Sequence, residues 1–279
     1  MPANSYGNVV MRCCRRYLCR LLFLSLLFHG IVSFAAGPSG ETSLALRQEI
    51  VTEFSGRIPR EWGETVTGVR TRLNTRDKVL ALTLDACGSP NGKGFDSALF
   101  AYLQKEKIPA TLFVNARWID ANPELFKMLA ANPLFDIANH GFLHRPASVT
   151  GRSIYGIDGT KNTGEMVDEI ERNAVKIAAL TGTRTRYYRS GTAYYDEVAV
   201  EVSRRLRHEV IGFTILGDAG ATYRADQVKS ALMKAVPGDI AILHMNHPEG
   251  GTAAGVIAAI PELKRRGFRF VKLSDYELQ

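Results

Sequence analysis

The chain has 279 residues, of which 46% are hydrophobic and 23% are charged. This composition is typical of a globular protein and excludes collagen-like, disordered and disulfide-scaffold classes. The formal net charge is +7, but the first 36 residues carry four arginines and no acidic residue, so the remainder is near +3. So small an excess of positive charge argues against a nucleic-acid partner.

The N-terminal segment has the three-part form of a secretory signal peptide. A basic region ends at Arg20, an apolar stretch spans 21–34, and the small residues Ser33 and Ala35 precede the sequence AGPSG. This pattern predicts cleavage after Ala35. The apolar stretch is shorter than the ~20 residues that cross a bilayer. We therefore expect a protein that is exported, periplasmic or secreted, with no stable membrane anchor once residues 1–35 are removed.

Cysteine use fits that expectation. Three of the four cysteines, Cys13, Cys14 and Cys19, precede the predicted cleavage point. Cys87 would then be the only cysteine of the mature chain, so no disulfide bond within the chain is expected even in an oxidising compartment.

Residues 36–77 are predicted to form an N-terminal extension. The spacing of Leu44, Leu46, Ile50 and Phe54 favours a short amphipathic helix, followed by a loop. We expect this extension to pack across the main domain, which spans 78–279.

From residue 78 onward, short apolar or β-branched runs alternate with amphipathic segments of helical length. Strands are predicted at 79–84, 110–114, 135–138, 185–188, 210–214, 239–243 and 268–271. Helices are predicted at 96–106, 123–131, 163–180, 195–206, 225–235 and 253–265. Seven such repeats predict an α/β fold, a single distorted (β/α)7 barrel-like domain with a parallel sheet and right-handed crossovers.

Polar side chains of the kinds used in catalysis stand at or near the ends of five predicted strands. The C-terminal ends of the strands in an α/β barrel converge on one mouth, so residues far apart in the sequence become neighbours there. The candidate site residues are Asp85, His140, His144, Arg189, Asp218 and His244.

His140 and His144, in the string NHGFLHRP, carry the strongest signal. Neutral imidazole is a common metal ligand, and a spacing of four residues on a helical turn would point both rings at one ion. A histidine pair alone is weak evidence, but its position after a predicted strand strengthens it. The pair predicts part of a divalent metal site.

Five ordered motifs between residues 78 and 273 resemble those of the polysaccharide deacetylases, a family that includes chitin and peptidoglycan N-deacetylases. TLDACG (83–88) is similar to the family's Thr-Phe-Asp-Asp-Gly, HGFLH (140–144) to its paired-histidine motif, and ILH (242–244) to its Leu-x-His. YRSGTAYY (188–195) and LGDAG (216–220) are partial matches to the arginine and aspartate motifs. Ser190 stands where the family has proline, and no tryptophan follows Asp218.

The resemblance implies a metal-dependent hydrolase that removes N-acetyl groups from an N-acetylglucosamine-containing polysaccharide: peptidoglycan, a chitin-like polymer or an exopolysaccharide. It implies a divalent metal ion. Zinc is the first choice, and cobalt, nickel and iron are alternatives. The implied roles are metal ligand for His140 and His144, general base for Asp85 and proton donor for His244. Arg189 would be the partner of Asp85, and Asp218 the partner of His244.

The first motif departs from the family. Two adjacent aspartates are usual, the second as a metal ligand, and here Ala86 takes that second position. Three arrangements remain open: two histidines with water, Asp85 on the metal, or a substitute such as Cys87 or Asp96. By residue type alone, Cys87 is better interpreted as a small buried hydrophobe and Asp96 as a helix N-cap.

Two other functions remain open at this stage. Ala86 is also compatible with a hydrolase of another carbon–nitrogen bond, such as a cyclic amide, or with an inactive barrel that binds glycans. Several aromatic residues in the connections could stack on sugar rings, although most aromatic residues in such a fold pack the core or the rim. They are Trp118, Tyr155, Tyr187, Tyr194 and Tyr195.

The export prediction can be tested on protein recovered from the native compartment. Intact-mass analysis should show a chain that begins at Ala36, give or take one residue, because Ser33 and Ala35 are the small residues a signal peptidase needs. Recovery of a chain that still contains Cys13 to Cys19 would contradict it.

Overall fold

The computed structural model describes residues 40–279, so the predicted signal peptide lies outside the described residues. One sheet forms the centre of this region. Its strands are β1 (Val79–Ala86), β2 (Ala110–Val114), β3 (Phe135–Asn139), β4 (Tyr187–Tyr188), β5 (Glu209–Val210), β6 (Ile215–Leu216), β7 (Asp239–His244) and β8 (Arg269–Val271). The order is β5-β4-β3-β2-β1-β7-β6, β8 pairs with the first half of β1, and all of these strand pairs are parallel.

Helices connect successive strands except β5 and β6, as the alternating pattern predicts. They are α1 (Gly40–Glu53), α2 (Ser97–Lys105), α3 (Ala116–Ala121), α4 (Pro123–Ala130), α5 (Thr163–Thr181), α6 (Glu197–Arg205), α7 (Ala225–Leu232) and α8 (Thr252–Arg265). Asp96, Asn162 and Asp196 begin α2, α5 and α6, where each side chain accepts a backbone N–H of the first turn. None of the helices in residues 40–279 has the length and apolar character of a membrane span.

The alternation of side chains along β1 separates two apolar layers. Leu80, Leu82 and Leu84 pack with the surrounding helices, whereas Val79 and Ala81 pack inside the barrel. Every residue of β1 is buried, as expected for a central strand of a parallel sheet with both faces covered. The same alternation turns Thr83 and Asp85 towards the barrel interior.

The sheet curls until its two edge strands come close. β5 and β6 lie at opposite edges of the sheet, yet only residues 211–214 separate them in the chain. Those residues can span no more than about 17 Å even when extended. The edges therefore meet across a narrow seam, and the sheet forms a nearly closed barrel.

The predicted strand at 210–214 is wrong in one respect, because the chain there divides between β5 and β6. Between them, Gly212 N–H donates to the carbonyl of Arg70, and Arg70 N–H donates to Val210. Pairing with the N-terminal extension takes this segment out of the sheet. The pairing depends on residues more than 130 positions earlier, so local propensity does not reveal it.

The extension contains the predicted helix, which is α1, but its predicted apolar face is only partly buried, because Leu44 is 68% exposed. Ile50 and Phe54 are buried in a core shared with α5 and α6, and Arg47 forms an ion pair with Asp168 of α5 at 2.8 Å. The helix therefore lies on the outer helices, not across the barrel. It is the following segment that crosses the seam, where Arg70 bridges to Ile211 and Arg72 to Asp239.

His208 provides a test of this packing. Its Nδ1–H donates to the carbonyl of Leu206 and its Nε2 accepts from Thr185 Oγ1, both at 3.0 Å. Burial lowers the pKa of His208 to about 4, against ~6.5 for an unfolded histidine. The unfolded chain therefore binds this proton first as the pH falls, and the native state loses on the order of 3 kcal/mol of stability between pH 6.5 and pH 4.

We expect His208→Gln to lose less unfolding free energy than the wild type over that pH interval, as measured by denaturant unfolding at pH 7 and pH 4. His247→Gln, in a partly exposed loop, is the matched control and should follow the wild type. An identical pH dependence in His208→Gln and the wild type would contradict the assignment.

Candidate active site

The six candidate residues meet at one end of the barrel. They come from the C-terminal ends of β1, β3, β4 and β7 and from the loop after β6. A cavity of about 730 Å³ opens there, and Asp85, His144 and His244 line it. Asp85 and His244 are register partners on the adjacent strands β1 and β7. The geometry therefore places a carboxylate and an imidazole side by side at the barrel mouth.

Arg189 is completely buried beneath this mouth and holds Asp85. One of its terminal nitrogens donates to Asp85 Oδ1 at 2.8 Å and to Thr83 Oγ1 at 2.9 Å. The other donors reach the carbonyls of Ile211 and Gly212 in the seam at 3.1 and 3.0 Å. A guanidinium stays charged at all physiological pH values, so it supplies a permanent counter-charge to the buried carboxylate.

His140, directly after β3, is held in one tautomer. Its Nδ1 lies 3.0 Å from the carbonyl oxygen of Arg189, which can only accept, so Nδ1 carries the proton. Nε2 then presents its lone pair 3.7 Å from Asp85 Oδ2 and 3.8 Å from Cys87 Sγ. Burial lowers the pKa of His140, with the nearby Asp85 acting in the opposite direction. The neutral ring that a metal requires is therefore favoured.

His144 reaches the same place without a helix. The predicted helical turn is wrong, because residues 140–144 form a loop in which His144 has a φ of +63°. The two imidazole rings are nevertheless 4.9 Å apart, edge to face. Gly191 makes room for this backbone, since a Cβ there would lie 2.4 Å from the carbonyl of His144. Within the described residues, His144 Nε2 is buried and has no hydrogen-bond partner.

Glu169 of α5 supports the histidine loop and was not predicted from the sequence. Its carboxylate accepts the backbone N–H groups of Leu143, at 2.9 Å, and Arg145, at 3.2 Å. Burial raises the pKa of Glu169 to about 7 even though these N–H groups favour the ionised form. The available signal was an acid on the buried face of α5, between Met166 and Ile170.

His244 and Asp218 form a buried pair. His244 Nδ1–H donates to Asp218 Oδ1 at 2.8 Å, and Asp218 Oδ2 accepts the N–H of His244 and the hydroxyl of Thr252. Burial acts to lower the pKa of His244, but the charge and hydrogen bond of Asp218 outweigh it and hold that pKa well above its usual value. The pKa of Asp218 is correspondingly lowered. These contacts favour the protonated ring of His244 and fix its orientation. Thr252 was not predicted.

Cys87 faces the cavity, so its interpretation as a small buried hydrophobe is wrong. Donor atoms of Cys87, His140 and His144 all lie within 4.8 Å of one another. Burial raises the pKa of the Cys87 thiol, but the nearby His144 and His244 outweigh it and lower that pKa to about 6. Asp96, by contrast, caps α2 by accepting the N–H of Leu99, as interpreted.

The aromatic candidates divide into two groups. Trp118, Tyr187 and Tyr195 are buried and pack the fold. Tyr155 is 69% exposed and lines the cavity, and its ring lies 5.7 Å from that of Tyr194. Of the five candidates, only Tyr155 lines the cavity and could contact a ligand there, with Tyr194 packed against it.

Comparison with known families identifies the chain. The model of the polysaccharide deacetylase family matches residues 72–211, about half of the chain. The protein belongs to this family, as the motifs predict. The match contains the first three motifs, whereas Asp218 and His244 lie beyond it.

Among curated proteins, the chain is 24% identical over 212 residues to a bifunctional xylanase/deacetylase of Pseudobutyrivibrio xylanivorans. The aligned region is 75% of this chain and 32% of that protein. An uncharacterized protein of Bacillus subtilis, YlxY, is 18% identical over 177 residues, which are 63% of this chain and 51% of that protein. The chain thus spans about a third of the length of one of these curated relatives and about half of the other.

Solved structures share the fold. PdaA of Bacillus subtilis, a family 4 carbohydrate esterase, superposes with a TM-score of 0.61 at 21% identity over 78% of this chain and 96% of that one. BA3943 of Bacillus anthracis, a pseudoenzyme of the same esterase family, superposes with a TM-score of 0.62 at 20% identity, over 74% of this chain and 67% of that one. An acetyl xylan esterase of Clostridium thermocellum, in complex with cobalt, superposes with a TM-score of 0.56 at 21% identity. The match covers 71% of this chain and 89% of that one. The predicted (β/α)7 barrel-like fold is confirmed.

The support that Glu169 gives to the histidine loop can be measured. Glu169→Ala should lower the free energy of unfolding by about 1–3 kcal/mol, because it leaves two partly buried N–H groups without their acceptor. Glu169→Gln keeps one acceptor oxygen and should lose about half as much.

The matched control is Asp168→Ala on the same helix, which removes only a partly exposed ion pair and should cost under about 1 kcal/mol. Equal losses in Glu169→Ala and Asp168→Ala, measured by denaturant titration, would show that the loop does not depend on Glu169.

Proposed function

We propose that the protein is an exported, metal-dependent hydrolase that removes N-acetyl groups from an N-acetylglucosamine-containing polysaccharide. The observation that carries this proposal is the arrangement at the mouth. A buried carboxylate paired with Arg189 and a cationic imidazole paired with Asp218 adjoin two histidines with nitrogens free to bind a metal. Family membership gives the reaction class.

The histidines fit a divalent cation. His140 presents an unprotonated Nε2, and His144 Nε2 is buried without a hydrogen-bond partner among the described residues, which is costly unless something binds it. Nitrogen donors suit zinc, cobalt, nickel or iron. When bound, such an ion polarises a carbonyl group and lowers the pKa of coordinated water. The relative solved with cobalt is consistent with this donor set.

Asp85 is the proposed general base. Arg189 donates to Oδ1, so Oδ2, which faces His140, is the oxygen that accepts the proton of the attacking water. The hydrogen bonds from Arg189 also fix the orientation of the carboxylate and so position Oδ2 for the proton transfer.

His244 is the proposed proton donor to the departing amine. Its Nδ1–H is bound to Asp218, so Nε2 carries the proton that is transferred. Asp218 stabilises the charged ring before transfer and holds the tautomer afterwards. The cavity, at about 730 Å³, is within the size range of small-molecule sites and could admit a sugar unit with its acetamide.

Export is proposed on the N-terminal sequence. The basic, apolar and small-residue segments of residues 1–35 are the support. An exported enzyme would meet cell-wall or secreted polysaccharides, which agrees with the proposed substrate class. The same argument disfavours a small cyclic amide, because such metabolites are usually processed inside cells.

An inactive, glycan-binding barrel is the second candidate. Two observations favour it: Ala86 stands where the family has a metal carboxylate, and BA3943, a structural relative, is a pseudoenzyme. Against it stand the two buried charge pairs, Asp85 with Arg189 and His244 with Asp218. Buried charges are costly to retain. Arg189 also joins β1 to the seam, whereas a surface that only binds glycans has no use for the His244–Asp218 pair.

The function is tested by release of acetate from N-acetylglucosamine oligomers, with metal content measured on the same preparations. Asp85→Asn should keep the metal and lose on the order of 10²- to 10⁴-fold in turnover, because a positioned base contributes about that much. Asp77→Asn, at an exposed carboxylate, is the control and should retain full turnover.

Three outcomes would count against parts of the proposal. Full turnover in Asp85→Asn would reject the base role. Loss of metal in that variant would make Asp85 a ligand. A wild-type protein that binds the oligomers yet releases no acetate with zinc, cobalt, nickel or iron would favour the glycan-binding candidate.

A further inference from the structure

We infer that the Cys87 thiolate is the third protein ligand of the metal site, which makes the site a Cys-His-His centre. The inference deepens the proposed function, because it concerns the same cation. It differs from the family pattern, in which the residue after Asp85 would supply a carboxylate, and it assigns that task to a sulfur atom one residue further along the chain.

The first support is the direction of the side chains at the end of β1. Asp85 faces the cavity, and Ala86 is packed in the apolar layer between the sheet and the helices. Cys87 faces the cavity again, as the two-residue period of an extended chain requires. A donor at position 87 therefore reaches the mouth.

The backbone around Cys87 is tightly fixed. Gly88 has a φ of +68°, and a Cβ there would lie 2.4 Å from the backbone nitrogen of Trp118, so only glycine fits. The Ala86 carbonyl accepts from Asn115 N–H, and Gly88 N–H donates to the carbonyl of Gly92. The thiol is thus held in place from both sides, as a preorganised ligand needs.

The second support is distance. Cys87 Sγ lies 3.8 Å from His140 Nε2, close to the ~3.6 Å that separates sulfur and nitrogen at two corners of a tetrahedral zinc site with bond lengths of about 2.3 and 2.05 Å. His140 Nε2 is the unprotonated nitrogen. Small movements of the His144 ring would close the cluster, whose donor atoms are already within 4.8 Å of one another.

Asp85 is the competing ligand, and the geometry favours Cys87. Asp85 Oδ2 lies 3.7 Å from His140 Nε2, but Oδ1 is bound to Arg189. Among the described residues, the group whose donor atoms all lie within 4.8 Å of one another contains Cys87 and not Asp85. With sulfur on the metal, Asp85 remains free to act as the base.

A thiolate changes which ions the site prefers. Sulfur is a soft donor, so a site with one thiolate and two imidazoles selects zinc, cadmium or cobalt over magnesium, calcium or manganese. The site should therefore retain zinc in the presence of excess magnesium, a preference that two histidines with water and a carboxylate would show less strongly.

The test uses the full-length protein loaded with Co²⁺. Sulfur bound to cobalt gives a charge-transfer absorption band in the near ultraviolet, which nitrogen and oxygen ligands do not give. We expect the band in the wild type and in Asp85→Asn, and no band in Cys87→Ser. Zinc affinity in Cys87→Ser should fall by more than about tenfold, since loss even of an outer partner of a ligand costs about 10- to 100-fold.

Two further variants guard against misfolding. Cys87→Asp restores an anionic donor and should bind cobalt without the band. Ser89→Ala, at another residue that lines the cavity, should keep both the band and the wild-type affinity. Alkylation of Cys87 by iodoacetamide, read by peptide mass spectrometry, should be slow with zinc bound and fast after chelation.

The outcomes separate this inference from the proposed function. The band and tight zinc binding without hydrolysis would support Cys87 as a ligand and reject the deacetylase. Metal-dependent hydrolysis with no band and unchanged zinc affinity in Cys87→Ser would keep the deacetylase and overturn the inference. Full hydrolysis by chelated protein, abolished in Cys87→Ser, would instead make Cys87 a nucleophile that forms a thioester as the amine leaves with a proton from His244.

Discussion

The buried guanidinium of Arg189 is the contact on which both the barrel and its mouth depend. It joins β1, through Thr83 and Asp85, to the seam carbonyls of Ile211 and Gly212. Its own backbone carbonyl fixes the tautomer of His140. One residue thus joins β1 to the seam, orients the proposed base and orients a proposed metal ligand, so the architecture and the chemistry share one set of hydrogen bonds.

This sharing explains why the charge can be buried. An isolated guanidinium in the barrel interior would be prohibitively costly, whereas here its donors meet a carboxylate, a hydroxyl and two carbonyls, and its face lies 4.2 Å from the centre of the Phe113 ring. The two seam carbonyls belong to residues that have left the sheet to pair with the N-terminal extension. The extension is therefore part of the support of the site, even though it lies outside the repeating pattern.

The parts of the fold and site that could be predicted are those encoded locally. Apolar runs at strand spacing and amphipathic segments between them mark the barrel, and strand ends converge by topology, so Asp85, His140 and His244 could be placed at one mouth. Arg189, Asp218 and His144 could be placed there too, but the contacts that support the histidine loop could not. Glu169 acts on a loop 24 to 26 residues earlier, and the left-handed backbone of His144 depends on close contact with Gly191. Both arise from tertiary contacts that no local pattern records.

The role of Cys87 also depends on tertiary contacts that the local sequence does not reveal. Residue type alone favours a small apolar role, and only the proximity of His140, His144 and His244 indicates a thiolate. The balance of charge around the mouth then becomes informative. Asp85, Asp218 and a Cys87 thiolate would carry three negative charges, against two positive charges on Arg189 and His244. Glu64 and Arg117, which also line the cavity, are of opposite sign, so these side chains would leave one negative charge in excess.

A divalent ion would reverse that excess and leave one positive charge beside the bound substrate. Hydrolysis of an amide passes through a state in which negative charge develops on the carbonyl oxygen, and a preorganised positive environment stabilises that state most where water is excluded. A barrel that only binds neutral sugars would gain nothing from such an arrangement, because pyranose rings carry no charge for it to meet. Without a bound cation, the charged side chains at the mouth are costly to bury. With a bound cation, the same side chains provide the charge that a deacetylase requires.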